Sequence, residues 1–198
     1  MQTRYFPKTN EELKRLVAAE SVHLGEIDIS QITDLSYVFS VRDRENQYFP
    51  WHFERKNFDG LETWDVEHVT NMEGMFAGAI HFNHNITNWD VSHVRSMRCM
   101  FIDCLCFNQA LGNWNVSNVK NMTSMFQNCE SFNQPLNSWN VSKVEKMVWM
   151  FRGCKSFDQI LDSWNLSSTI RNNTMCVQGM FDSCLSLGKY PAWFPHQI

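Results

Sequence analysis

The chain has 198 residues and a formal net charge of -4. Apolar residues make up 43% and charged residues only 19%, enough to build a substantial core and without the basic footprint of a nucleic-acid binder. No stretch of about 18 apolar residues occurs, so no membrane-spanning helix is expected.

Met1 to Leu16 is polar and lacks the apolar run of a secretory leader. The first cysteine is Cys99, so no cysteine stands near the start to carry a lipid. Seven cysteines is an odd number, which suits reduced thiols. These features predict a cytoplasmic protein, or a surface protein if a leader has been removed. Thr9-Asn10-Glu11-Glu12 is a capping box, followed by Leu13, Leu16 and Val17 at helical spacing. An amphipathic helix is predicted from about Asn10 to Ala19. It belongs to an N-terminal cap, residues 1–26, that would cover the open end of a repeat array beginning at Ile27.

Tryptophan sets the register of that array. Trp64, Trp89, Trp114, Trp139 and Trp164 are each 25 residues apart. Met75, Met100, Met125 and Met150 keep the same step, as do the Phe76 to Phe151, Met72 to Met147, Phe82 to Phe157 and Cys104 to Cys154 rows. Ile27-Asp28-Ile29 aligns with Trp64-Asp65-Val66 as a degenerate first unit, interrupted by an insertion at about Ser40–Asn57. The last unit carries five extra residues around Asn172-Asn173 and gives way to a C-terminal cap at 189–198. Residues 27–188 thus read as about six coils within a single domain. A period of 20–50 residues signals stacked supersecondary units, none of which can bury its apolar face alone.

Within a unit, Leu136, Trp139 and Val141 match L-x-x-L-x-L, with Trp139 and Val141 on one strand face. Met147, Met150, Phe151 and Cys154 fall at i, i+3, i+4 and i+7, the stripe of a short helix. The expected fold is therefore α/β: a leucine-rich-repeat-like solenoid of about six 25-residue coils with an N-terminal capping helix. The Met, Phe and Trp rows read as core ladders, and the cysteine row as structural thiols rather than disulfides or a metal site. Asn85, Asn115, Asn121, Asn140, Asn165 and Asn172 fit N-x-S/T but read as turn residues rather than glycosylation sites.

The motif Trp89-Asp90-Val91-Ser92 to Met100-Phe101, then Cys104 and Phe107-Asn108-Gln109, resembles the repeat of BspA-family leucine-rich-repeat surface proteins. More closely, it resembles the variant first noted as uncharacterised repeats in mycoplasma lipoproteins. The likeness runs from about Ile27 to Leu187. It implies a bacterial leucine-rich-repeat solenoid with a surface or adhesion role, and it brings no catalytic residues.

Candidate binding residues are those the core does not need. The residue after each repeat Trp (Asp65, Asp90, Asn115 and Asn140) points outward and, with His68 and His93, forms one polar strip. Trp149 stands where other units have Gly74, Cys99, Ser124 and Gly179, which marks it as a contact candidate. The insertion adds Tyr48, Trp51, Phe53 and Arg55, aromatic and arginine types typical of interfaces. No G-x-S-x-G, P-loop, G-x-G-x-x-G or H-E-x-x-H occurs. The expected function is a non-enzymatic interaction module with an unidentified protein partner and no cofactor, nucleic acid or membrane. The alternatives are a glycan-binding, adhesion-type surface protein and, with less support, a metal-dependent hydrolase using Asp65, His68, Asp90 and His93.

Overall fold

A computed structural model describes residues 4–41 and 55–195. The N-terminal helix α1 spans Asn10–Ala18, and the Thr9 hydroxyl accepts the Glu12 N–H at its N-cap. Leu13 and Val17 on one face of α1 are fully buried in the common core.

The repeat itself is not the α/β leucine-rich-repeat solenoid that its spacing suggests. Among the described residues no sheet forms. Parallel pairing is confined to isolated bridges joining Tyr5 to Ile27 and, in succession, Asp34, Asn71, Ser96, Asn121 and Lys146. Between Trp64 and Cys154 there is no helix either; the second helix, α2, is the short Ser168–Asn172 in the last unit.

Each unit is instead a run of turns. Along Met72–Ala79, alternate N–H groups reach the next unit: Met72, Gly74, Phe76 and Gly78 donate to the carbonyls of Ser96, Arg98, Met100 and Ile102 at 2.8–3.0 Å. The intervening Met75, Ala77 and Ala79 donate back to Met72, Gly74 and Phe76, closing i to i+3 turns. The same alternation recurs in the next units, where Phe101 donates to Met125, Phe126 to Met150 and Phe151 to Met180, each at 2.9 Å. The i, i+3, i+4, i+7 stripe fails as a helix because left-handed residues interrupt it twice in each unit from the second onward. They stand at Cys99 and Asp103, Ser124 and Asn128, and Trp149 and Gly153. An α-helix of L-residues does not tolerate such a residue every four positions. The strand half fails because Trp114 and Val119 close turns onto Leu111 and Val116, leaving few donors for a ladder.

The apolar rows become stacks. Phe39, Phe76, Phe101, Phe126, Phe151 and Phe181 lie ring over ring, with centroids 5.4–5.7 Å apart and planes within 10°. A second column, Phe82, Phe107, Phe132 and Phe157, runs beside it. Within a unit the two columns touch at 3.9–4.3 Å. Met72, Met97, Met122 and Met147 are fully buried in the same core. Among the described residues, all but one of the buried side-chain polar atoms threaded through the stack are paired. Trp114, Trp139 and Trp164 each donate the indole N–H to a carbonyl 28 residues earlier, at 2.9–3.2 Å. Trp89 breaks the row: its buried indole N–H has no partner among the described residues. The residue 28 before it is Leu61, in the short 3-10 turn Leu61–Thr63 that comes after the insertion.

The two ends are closed differently. At the first unit, the Asn10 side-chain amide donates to the carbonyls of Asp34 and Ser36 at 2.9 and 3.1 Å. These are the equivalents of Asn71 and Glu73, which accept from the unit before. One asparagine on α1 therefore substitutes for a missing preceding unit. At the other end, Trp193 stacks on Trp164 at 6.0 Å and Phe194 meets Phe181 edge-on at 5.1 Å.

Candidate functional site

The outward strip exists as a row, and its members are turn-formers first. Asp65, Asp90, Asn115 and Asn140 are exposed. Each accepts, through its side-chain oxygen, the backbone N–H two residues on, at 2.9–3.2 Å. This Asx-turn explains why Asn or Asp follows the repeat Trp. The Ser92 hydroxyl and its N–H also hold the Asp90 carboxyl below the usual carboxylate range. Asn85 and Asn121 make the same local bond to Thr87 and Thr123, so the N-x-S/T pattern at these sites has a backbone origin.

The histidines of the strip are not equivalent. His68 is half-buried, with Nε2 3.0 Å from the Ile29 carbonyl of the previous unit. His93 is exposed and lies beside Ser92. Asn118 and Lys143 continue the row by bonding back to Ser92 and Asn118, respectively. Among the described residues no group of three or more His, Cys, Asp or Glu stands where it could hold a metal ion. Asp65, His68, Asp90 and His93 are thus neighbours in a row without being a ligand set.

Trp149 is the next candidate contact. It is 40% exposed and sits in the left-handed region at φ 56°. Its ring lies over Gly179 of the next unit, where a Cβ would come within 2.6 Å of the indole. Arg152 caps the ring, its guanidinium carbon 5.6 Å from the centroid. Tyr37 and Gly74 form the same pair at the N-terminal end, with the Tyr37 ring filling the space above the glycine. The row therefore takes an aromatic only where the next unit offers glycine. Tyr37 is buried, however, and its hydroxyl donates to Glu73 at 3.1 Å, while Arg98 pairs with the same carboxylate oxygen at 2.8 Å. Burial, with Glu73 adjoining, pushes the Tyr37 hydroxyl up to about 12. Trp149 is the member of the row left facing solvent.

The insertion holds the remaining candidates. Tyr48, Trp51 and Phe53 lie outside the described residues. Arg55, read from sequence as a contact residue, is buried at 5% exposure. Its guanidinium donates to the carbonyls of Val17, Ala19 and Val22 at 2.6–3.2 Å, and so ties down the end of α1. A buried cation satisfied by four carbonyls, Asn57 included, is a structural clamp.

The cysteines are free thiols. Cys104, Cys129, Cys154 and Cys184 donate to the carbonyls of Phe76, Phe101, Phe126 and Phe151 at 2.9–3.1 Å. Burial pushes the Cys104, Cys129 and Cys154 thiols well above the ordinary range, the opposite of what a reactive thiolate needs.

The sequence profile of the family described as "Mycoplasma protein of unknown function, DUF285" matches residues 10–109, 47–164 and 85–187. The chain belongs to this family. The DUF285 profile fits at overlapping registers, and its first and third matches begin at 10 and 85, three units of 25 residues apart. No curated protein and no solved structure matches the chain. No helix among the described residues is long and apolar enough to cross a membrane.

A further row, after the second Phe of each unit, is a working ladder in this DUF285 chain. The Asn83, Asn108 and Asn133 side-chain oxygens each accept the N–H of the equivalent residue in the next unit, at 2.9 Å. Gln109, Gln134 and Gln159 bond back to Asn83, Asn108 and Asn133. Asp158 ends the row by accepting the Gly188 N–H at 3.0 Å, and Asp162 accepts that of Ala192 at 2.7 Å. The visible signal was the Asn-Gln that comes after Phe82-type residues in successive units.

Proposed function

We propose that this DUF285 chain is a non-enzymatic protein–protein interaction module. It binds a partner protein through the exposed strip of Asp65, Asp90, Asn115 and Asn140, with His93 beside it, and through Trp149. The observation that carries this reading is the placement of Trp149. Its row holds small or buried residues elsewhere, yet here a 40% exposed indole is pre-oriented by Gly179 and Arg152. A rigid aromatic with an arginine beside it is the usual chemistry of an interface hot spot. Two features support a binding role over catalysis: the strip carboxylates are engaged in Asx-turns, and the buried thiols are held protonated. The finer likeness to BspA-type surface proteins, carried by the Trp89–Gln109 motif, favours recognition as well. The insertion aromatics Tyr48, Trp51 and Phe53 belong to the same proposal as a second contact.

The test is affinity capture from the native cell with the intact chain, Trp149→Ala, and Asp90→Ala/His93→Ala, after each variant is shown to melt with the parent. A specific partner should be recovered by the parent and reduced about tenfold or more by Trp149→Ala. Equal recovery with Trp149→Ala overturns the Trp149 version. Binding to a glycan array, with no protein recovered, would move the site to the adhesion-type alternative.

A further inference from the structure

At the C-terminal end Tyr190 and Phe194 cover the Phe181 ring, but the backbone donor row of the ladder is left unpaired there. In the preceding unit Trp149, Phe151 and Gly153 donate their N–H groups to Gln178, Met180 and Asp182. The equivalents one unit later are Gly179, Phe181 and Ser183. Among the described residues none of these three N–H groups has an acceptor, although Met180, Asp182 and Cys184 close the usual i to i+3 turns. Gly179 and Phe181 are themselves largely buried residues, so an unmade bond there carries a cost.

The C-terminal segment supplies only half of a further unit. Trp193 takes the place of the next repeat Trp, stacking on Trp164 and donating its indole N–H to Leu161 at 2.8 Å. Beside it a cleft of about 290 Å³ remains, lined by Trp164, Leu166, Ile170, Val177 and Trp193 with Thr174 at the same site. The donor row and the apolar cleft adjoin through Val177 to Gly179. Together they continue the unit-to-unit interface that the chain builds throughout.

We propose that this end captures an extended peptide segment of a partner protein. Carbonyls at three alternate residues of that segment accept from Gly179, Phe181 and Ser183, and one apolar side chain enters the Trp164–Leu166–Val177–Trp193 cleft. The mode is strand addition to an edge, with backbone bonds giving affinity and the pocket giving selectivity. A second copy of this chain is a poor occupant. The matching acceptors at its own N-terminal end are Ser36, Val38 and Ser40; Asn10 already holds the Ser36 carbonyl, and α1 packs its Leu13 and Val17 onto that end of the core. This edge is distinct from the strip and adjoins Trp149, whose ring lies over Gly179; it adds a second mode of binding to theirs.

The test uses the full chain, 15N-labelled, and a synthetic peptide copying residues 144–157 with Cys154→Ser, alongside its scrambled sequence. That peptide places the carbonyls of Val148, Met150 and Arg152 in the acceptor register. In the free chain the amides of Gly179, Phe181 and Ser183 should exchange about tenfold or more faster than those of Trp149, Phe151 and Gly153. The peptide should slow the three by about tenfold, the scrambled sequence should not, and Thr174→Trp, at an exposed cleft position, should weaken peptide binding about tenfold. Slow exchange of the three amides in the free chain overturns the proposal. So does no change at saturating peptide, or an equal change with the scrambled sequence. Concentration-dependent protection without peptide would assign the edge to a second copy and likewise overturn it. Loss of the strip partner in Trp149→Ala is read separately, so failure of one surface does not stand for failure of the other.

Discussion

Replacing Phe126 by alanine is expected to destabilise the folded chain by about 3–5 kcal/mol, measured by urea unfolding. Phe126 is fully buried, stacked between Phe101 and Phe151 at 5.6 Å on either side, against Phe132 at 4.2 Å and near Trp139 at 6.3 Å. Its removal empties one rung at the middle of two columns, and the planar neighbours on each side cannot both collapse into the gap. The backbone of the rung is pinned as well, since Phe126 donates to Met150 and accepts the Cys129 N–H and the Cys154 thiol. In an array whose stability is a sum of unit and neighbour terms, a central rung serves two interfaces. Replacing Phe194, which meets the column only at its end, should therefore cost less. A loss below about 1 kcal/mol for Phe126→Ala would contradict the stacked-column account.

The second large effect is expected at Gly60. Gly60 lies at φ 91°, and an added Cβ would come 2.3 Å from the Gly25 N and 2.9 Å from its Cα. The obstacle is backbone, which cannot swing away as a side-chain tip can. Left-handed strain of roughly 1–2 kcal/mol adds to overpacking of roughly 1–3 kcal/mol, so Gly60→Ala should lose about 2–5 kcal/mol. Gly188→Ala is the matched control. Its Cβ would meet only Asp158 at 3.6 Å, an ordinary contact, and its stability should stay within about 0.5 kcal/mol of the parent. If the two variants unfold at the same urea concentration, the close approach of the Gly25 and Gly60 backbones is not a real constraint.

Much of the packing was legible from spacing. The Trp, Met, Phe and Cys rows are the buried columns, because a side chain that recurs every 25 residues meets its own copy in the next unit. The α1 helix was legible from Thr9, Glu12 and the Leu13–Val17 face. The local backbone was not. Met147, Met150, Phe151 and Cys154 share one buried side, as in a helical stripe, but they reach it through left-handed residues at Trp149 and Gly153. The left-handed rows hide because they hold Tyr, Cys, Ser, Trp, Asp and Asn as well as Gly. Only Gly74, Gly78, Gly153 and Gly179, falling in two matching registers, hinted at them.

The candidate site divides the same way. The outward direction of Asp65, Asp90, Asn115 and Asn140 follows from alternation with buried Trp and Val, and the exposure of Trp149 follows from its small equivalents. The role of Arg55 does not follow from sequence. Its carbonyl partners at Val17, Ala19 and Val22 are 33–38 residues away along the chain, and no local pattern points to them. The open donor row at Gly179, Phe181 and Ser183 was equally hidden, because it depends on the alternate-residue ladder that neither a strand nor a helix reading contains.

That ladder is the central claim, and scalar couplings across hydrogen bonds test it most directly. In a deuterated, 15N,13C-labelled sample, couplings should connect the nitrogens of Phe101, Phe126 and Phe151 to the carbonyl carbons of Met125, Met150 and Met180. The nitrogens of Met100, Met125 and Met150 should couple within their own units, to Met97, Met122 and Met147. Couplings from every residue of these segments to carbonyls four residues earlier would mean helices. Their absence between units would mean that the rungs are not joined. Either result would contradict the account.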